Sequence, residues 1–192
     1  PPAMPADAAT VVTADYQVPF PAHPTMEPMA CTALGGGFGH RLPFSLDFIG
    51  MSARIAKAMS PAPVKMIWSR ETDVRRDYYR PAAMARFAGA LDAKGAPLAV
   101  ACHYAGGGDA ESVFLPYAIA DTRAEDRDAA HPIRTGSWRS VLDSQHGFFK
   151  ESFIDEMAHA AGKDPFEFRR GLLGDQPRFK AALEKAAVLS GW

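Results

Sequence analysis

Leu34-Gly35-Gly36-Gly37-Phe38-Gly39-His40-Arg41 places four glycines in five positions directly after the apolar stretch Met29 to Leu34. Without Cβ atoms such a run takes φ > 0 and exposes its amides, so it suits phosphate, pyrophosphate or another anionic cofactor, especially ahead of a helix. A helix is expected over Pro43 to Met59, with Leu46, Ile49, Gly50, Ala53 and Ala56/Lys57 near one face. The spacing fits neither a P-loop nor a Rossmann turn: counted from Gly35 or Gly37, His40 or Leu42 stands where the last Rossmann glycine belongs. A tight turn or flexible connection without a ligand is the plain alternative.

Outward from the loop the order of elements is mixed. Thr10 to Val18 alternates with Val12, Ala14, Tyr16 and Val18 on one side, which predicts an edge or linker strand running into the Pro-rich Pro19 to Pro28. Pro63 to Trp68 reads as a short β-type stretch, and the charged Ser69 to Arg80 as a surface excursion. Ala83 to Leu91 and Pro97 to Tyr104 flank Asp92-Ala93-Lys94-Gly95 and predict a β-hairpin. Gly106 to Gly108 and the charged Asp121 to Asp128 read as a long loop.

The last third predicts helices. Phe149, Phe153, Met157 and Ala160 recur at helical spacing, Ile154 and Ala161 widen the stripe, and Gly162 is the stop. Asp164-Pro165-Phe166-Glu167 carries an N-cap, a proline at the first helical position and a glutamate at the third, so a second helix starts there; another follows Pro177. Glu151, Asp155 and Glu156 read as solvated or capping groups. The class expected is α+β, with an N-terminal strand and Pro-rich segment over 1–33 and a second part over 34–192.

Composition narrows the partners. With 192 residues, 47% hydrophobic, 22% charged and a net charge of −1, the chain lacks the clustered positive charge that favours nucleic acid or an anionic membrane. No apolar run is long enough to span a bilayer. Cys31 and Cys102 belong to no CxxC, and His23, His40, His103, His131, His146 and His159 show no ligand spacing, so no protein-ligated metal or iron–sulfur centre is expected. The chain starts at Pro1, which suggests a cut from a longer polypeptide.

Several stretches in order carry a family resemblance: Ala22-His23-Pro24-Thr25-Met26-Glu27-Pro28-Met29, the Gly35–Arg41 loop, Val64-Lys65-Met66-Ile67-Trp68-Ser69-Arg70-Glu71, Tyr79-Arg80-Pro81-Ala82, Trp138-Arg139-Ser140-Val141 and Glu151-Ser152-Phe153-Ile154-Asp155-Glu156. The chain resembles the molybdopterin-binding large subunit of the xanthine dehydrogenase/aldehyde oxidase superfamily, nearest to isoquinoline 1-oxidoreductase beta subunits. The resemblance implies that Gly36, Gly37, Phe38 and Gly39 lie against a molybdenum–molybdopterin cofactor, that Arg139 and Ser140 contact it, and that Val141 stands near the substrate. It further implies a small 2Fe-2S partner subunit, and oxidation of aldehydes or N-heterocycles with oxygen taken from water. A bacterial enzyme of the periplasm or cytoplasm is implied as well.

Two departures accompany the resemblance. Such enzymes use a glutamate base in a Gly-x-Gly-Glu motif, which is absent from these 192 residues, and neither Glu27 nor Glu151 takes its place. No catalytic residue is therefore assigned. The Glu27-Pro28-Met29 stretch also runs almost directly into the glycine loop, where relatives carry an intervening segment, so a shortened or internally deleted form is expected. The alternative function is a non-catalytic remnant or an assembly module that binds a partner subunit.

Overall fold

The computed structural model describes residues 4–19, 47–76, 78–106, 116–127, 130–141 and 143–192. The chain forms two compact units, one built from Pro1–Val18, Ala83–Ala129 and Leu142–Trp192, the other from Pro19–Ala82 and Ala130–Val141.

Among the described residues, the first unit is a four-stranded sheet with helices. Its strands β1 (Thr10–Val18), β2 (Ala83–Leu91), β3 (Pro97–Ala105) and β4 (Asp121–Arg127) lie in the order β1-β2-β3-β4. β1 and β2 pair antiparallel with Ala14 opposite Phe87 and Tyr16 opposite Ala85; β2 and β3 pair antiparallel with Phe87 opposite Cys102. One sheet face therefore collects Val12, Ala14, Tyr16, Phe87, Cys102 and Tyr104, because side chains alternate along a strand. Among the described residues β1 is an edge strand with the expected alternation, its Val12, Ala14, Tyr16 and Val18 half-buried.

The hairpin turn works through one side chain. The Asp92 carboxylate accepts hydrogen bonds from the amides of Lys94 and Ala96, each at 2.8 Å, and Gly95 takes the left-handed φ of 70° that the turn requires. Those backbone bonds to its carboxylate hold the Asp92 carboxyl below its ordinary value.

β4 corrects the expectation of a loop over Asp121 to Asp128. It pairs parallel to β3, Cys102 opposite Ala124. Its Asp121, Arg123, Glu125, Asp126 and Arg127 suit a sheet edge, where charge discourages further strand pairing. Gly107 and Gly108 lie outside the described residues.

Helix α3 (Asp143–Ala160) covers the face with Phe149, Phe153, Ile154, Met157 and Ala158, all buried. Ala160, expected in the stripe, is exposed at the last turn, and Ala158 is buried instead. Phe153 stacks on Phe87 with ring centroids 4.8 Å apart. A Cβ on Gly89 would lie 2.8 Å from the Met157 sulfur and 3.1 Å from Phe153, so the glycine makes room for this contact. The helix ends at Gly162 (φ 62°), where the Gly162 amide bonds the His159 carbonyl and the Lys163 amide reaches Ala158.

Helix α4 (Pro165–Leu172) starts as expected: the Asp164 side chain accepts from the Glu167 amide at 3.0 Å, with Pro165 at the first turn. Helix α5 (Pro177–Ser190) ends on left-handed Gly191. The acidic residues of α3 are bonding partners rather than merely solvated or capping groups. Glu156 accepts a hydrogen bond from the Tyr16 hydroxyl, Glu151 from Tyr117 and Arg169, and Asp155 from Arg169.

Burial first, then the hydrogen bond to Glu156, raises the Tyr16 phenol above the ordinary tyrosine range; burial and Glu151 raise Tyr117 likewise. Neutral phenols favoured by the fold contribute stability that is intact below the unfolded pKa of about 10 and lost as pH climbs through the higher folded values. The melting temperature is expected to fall from about pH 10 upward, and Tyr16→Phe with Tyr117→Phe to flatten that fall. Equal slopes in the wild type and the double variant would remove the phenols as its cause.

In the second unit, helix α1 (Asp47–Ala58) buries Phe48 and Ser52, with Ala56 half-buried. The expected face is thereby corrected: Ile49, Gly50, Ala53 and Lys57 are exposed, and Leu46 lies outside the described residues. Phe48, Ser52 and Ala56 follow at four-residue spacing, and the Ser52 hydroxyl returns to the Phe48 carbonyl at 2.9 Å, so a serine serves on the buried face. Pro63 to Trp68 is extended but not a full strand: Val64, Met66 and Trp68 are half-buried in alternation, with a single bridge position at Ile67.

Helix α2 (Arg70–Arg76) replaces the expected irregular excursion. Ser69 caps it by accepting from the Thr72 amide at 3.3 Å, and Asp73 is buried at 1% exposure. Its brevity and charge conceal the helix in the sequence.

Candidate functional site

Residues 130–141 contain His131, Arg134 and Arg139 and no carboxylate, so the segment offers only donors of positive or neutral character. It is held in the second unit by a short parallel bridge. The Tyr79 amide donates to the Arg134 carbonyl and the Gly136 amide to the Tyr79 carbonyl, both at 3.0 Å, with Tyr79 opposite Thr135. Arg80 of the same stretch donates to the Pro19 carbonyl at 3.4 Å.

The segment then enters the turn Trp138-Arg139-Ser140-Val141. The Val141 amide donates to the Trp138 carbonyl at 2.9 Å. Ser140 has φ 67° and Val141 φ 46°, the two non-glycine residues with positive φ among those described. A β-branched residue in the left-handed region is a steric outlier, and each such residue costs about 1–3 kcal/mol. Backbone held at that cost clusters where a ligand is gripped. Val141 is 61% exposed, and Arg139 and Ser140 are exposed as well.

Of the predicted site residues, the structure therefore brings Arg139, Ser140 and Val141 together in one strained, solvent-facing turn. Gly36, Gly37, Phe38 and Gly39 lie outside the described residues, as does Glu27. The donor chemistry of the turn fits an anionic, oxygen-rich group: a guanidinium, a hydroxyl and backbone amides, with acidic groups absent from the segment.

Tyr78, Arg134 and Gly136 escaped the sequence reading. The Arg134 guanidinium lies 4.5 Å from the Tyr78 ring centroid and donates to its hydroxyl at 2.8 Å. A Cβ on Gly136 would fall 2.8 Å from Tyr78 Cβ. The available signal was a lone glycine two residues before Trp138, which spacing alone does not distinguish from an ordinary turn.

Among the described residues, no group of three or more His, Cys, Asp or Glu side chains could hold a metal ion. No described helix is long and apolar enough to cross a membrane. Cys102 is buried in the sheet, and desolvation pushes its thiol up to about 12, which suits a core residue rather than a nucleophile.

A family model described as a molybdopterin cofactor-binding domain matches residues 29–172. The chain belongs to this family. It is 34% identical over 189 residues to the membrane-bound aldehyde dehydrogenase [pyrroloquinoline-quinone] of Gluconacetobacter polyoxogenes, covering 81% of this chain and 24% of that protein. To the beta subunit of isoquinoline 1-oxidoreductase from Brevundimonas diminuta it is 30% identical, covering 83% of this chain and 22% of that one. The chain thus spans about a quarter of the length of these relatives.

Solved structures share the fold. The carbon monoxide dehydrogenase of Oligotropha carboxidovorans superposes with a TM-score of 0.77 at 14% identity, covering 97% of this chain and 32% of that one. The quinoline 2-oxidoreductase of Pseudomonas putida 86 gives 0.72 at 18% identity, with 86% and 28% covered. The mixed sheet and helices of this chain therefore recur in these structures, about a third or less of whose length it covers.

Proposed function

We propose that this chain supplies part of the molybdopterin site of a molybdenum hydroxylase that oxidises aldehydes or N-heterocycles with oxygen drawn from water. The observation that carries the reading is the left-handed pair Ser140–Val141, inside the matched segment and flanked by Arg139. Arg139 and the amides and hydroxyl of the turn would hold anionic oxygens of the cofactor, while Val141 would border the substrate. Gly36, Gly37 and Gly39 would let the cofactor approach their backbone, and Phe38 would give the pocket a dry aromatic wall. When bound, the molybdenum cofactor supplies the two-electron oxidation; the protein supplies grip, orientation and exclusion of water.

No residue of this chain is assigned as the catalytic base. Two relatives are named as single subunits of larger enzymes, an isoquinoline 1-oxidoreductase and a nicotinate dehydrogenase. A small 2Fe-2S protein that carries electrons away is the partner we propose.

The test is molybdenum and pterin per protein after expression in a host that makes molybdopterin cofactors. Near-stoichiometric content is expected in the wild type, with retention roughly tenfold weaker in Arg139→Ala, the scale of removing a single charge-assisted hydrogen bond, and in Phe38→Ala, the scale of losing a buried apolar contact. A folded wild type without cofactor would overturn the reading and favour the assembly module.

A further inference from the structure

We propose that Tyr78, Arg134 and Gly136 form a clamp that sets the left-handed Trp138–Val141 turn, which makes them positioning residues for the group that the turn holds. The inference rests on the proposed cofactor contact for its purpose, but its geometry stands apart from that contact.

Arg134 and Gly136 are two apart on an extended segment and so project to one side, where the Tyr78 ring meets both. On one flank the guanidinium stacks 4.5 Å from the ring centroid and binds the phenol oxygen at 2.8 Å. On the other, the ring is seated against bare Gly136: an added Cβ would lie 2.8 Å from Tyr78 Cβ and 2.9 Å from Cγ. Those atoms are fixed to the backbone and cannot swing aside as a flexible tip would. The neighbouring Tyr79 closes the seat with its two 3.0 Å backbone bonds to Arg134 and Gly136.

Only Ser137 separates Gly136 from the turn. A displacement at Gly136 therefore reaches Trp138, whose carbonyl closes the turn, with little chain to absorb it. A strained conformer persists only where its surroundings over-determine it, and the clamp lies in the second unit immediately before the turn.

The experiment uses the full chain without cofactor, followed by NMR. Strong intraresidue HN–Hα NOEs at Ser140 and Val141 report their positive φ. Gly136→Ala is expected to abolish both, while amide protection in α3 stays at its wild-type level. Retention of both signatures in a folded Gly136→Ala would overturn the clamp.

Because Gly136→Ala risks unfolding the unit, Tyr78→Leu serves as an independent arm. It removes the ring stack but leaves the backbone bridge, and is expected to lower hydrogen-exchange protection of the Gly136 amide about tenfold. Unchanged protection there would likewise overturn the proposal. Cofactor content measured in parallel separates the two readings: a lost NOE signature with unchanged cofactor content leaves the clamp standing and sinks the cofactor contact at this turn.

Discussion

Phe153→Ala is expected to cost about 3–5 kcal/mol of stability, the range for deleting a large aromatic side chain from a packed core. Phe153 is 1% exposed and stacks on Phe87 of the central strand β2 at 4.8 Å. The sheet beneath has adapted to it through Gly89, where even one methyl group would approach Phe153 to 3.1 Å. Truncation opens a cavity that its neighbours are poorly placed to fill, since Phe87, Phe149 and Met157 are themselves buried and packed. The check is chemical denaturation, with a lower midpoint and an unchanged slope. Phe148→Ala serves as the comparison, because Phe148 lies on the same helix but is 52% exposed. A loss at Phe153 no larger than at Phe148 would show that α3 does not anchor the sheet.

The elements that make this contact were legible in the sequence because period and chemistry agree. Phe149, Phe153 and Met157 repeat every four residues, Val12 to Val18 alternate, and Asp92 with Gly95 marks the turn between two apolar strands. Where the two disagree, the reading failed. On α1 the apolar residues Ile49, Met51 and Ile55 are outside while Ser52 is inside, since the serine bonds its own helix carbonyl and can be buried at little cost. β4 is a strand because it pairs with β3, although its composition is that of a loop. Short α2 is set by its Ser69 cap rather than by an apolar stripe.

The candidate site divides the same way. Trp138-Arg139-Ser140-Val141 was recognisable as a motif, but its left-handed backbone was not, since neither serine nor valine signals positive φ as glycine does. The clamp was hidden for a different reason: Tyr78 and Gly136 are 58 apart in sequence, and only the fold makes them neighbours. The close seat of a tyrosine against a glycine backbone is a property of three dimensions, and no local pattern records it.

Arg169→Met is expected to destabilise the chain by about 1–3 kcal/mol, because it removes the polar bonds between α4 and α3. The guanidinium is 12% exposed and nearly saturated: Nε donates to Glu151 Oε2 at 2.9 Å, Nη1 to Asp155 Oδ1 at 2.5 Å, and Nη2 to the Glu151 carbonyl at 2.8 Å. Burial alone would depress its pKa, but the bonds to Asp155 and Glu151 outweigh that and hold it above the ordinary arginine value, so it is charged wherever the fold exists. Methionine keeps the volume of the stem but leaves Glu151 and Asp155 as like charges one helical turn apart. Breaking a fully buried pair would cost more; here water reaches the carboxylates, whose side chains are 42% and 55% exposed, and screens them. Tyr117 continues to donate to Glu151 at 2.7 Å, so the damage is expected at α4 first, as lost amide protection from Phe168 to Leu172 with α3 less affected. Adding Glu151→Gln and Asp155→Asn to Arg169→Met removes the uncompensated charge and is expected to restore part of the loss. If the triple variant is no more stable than Arg169→Met alone, charge compensation is not what Arg169 contributes, and its packing against α3 carries the effect instead.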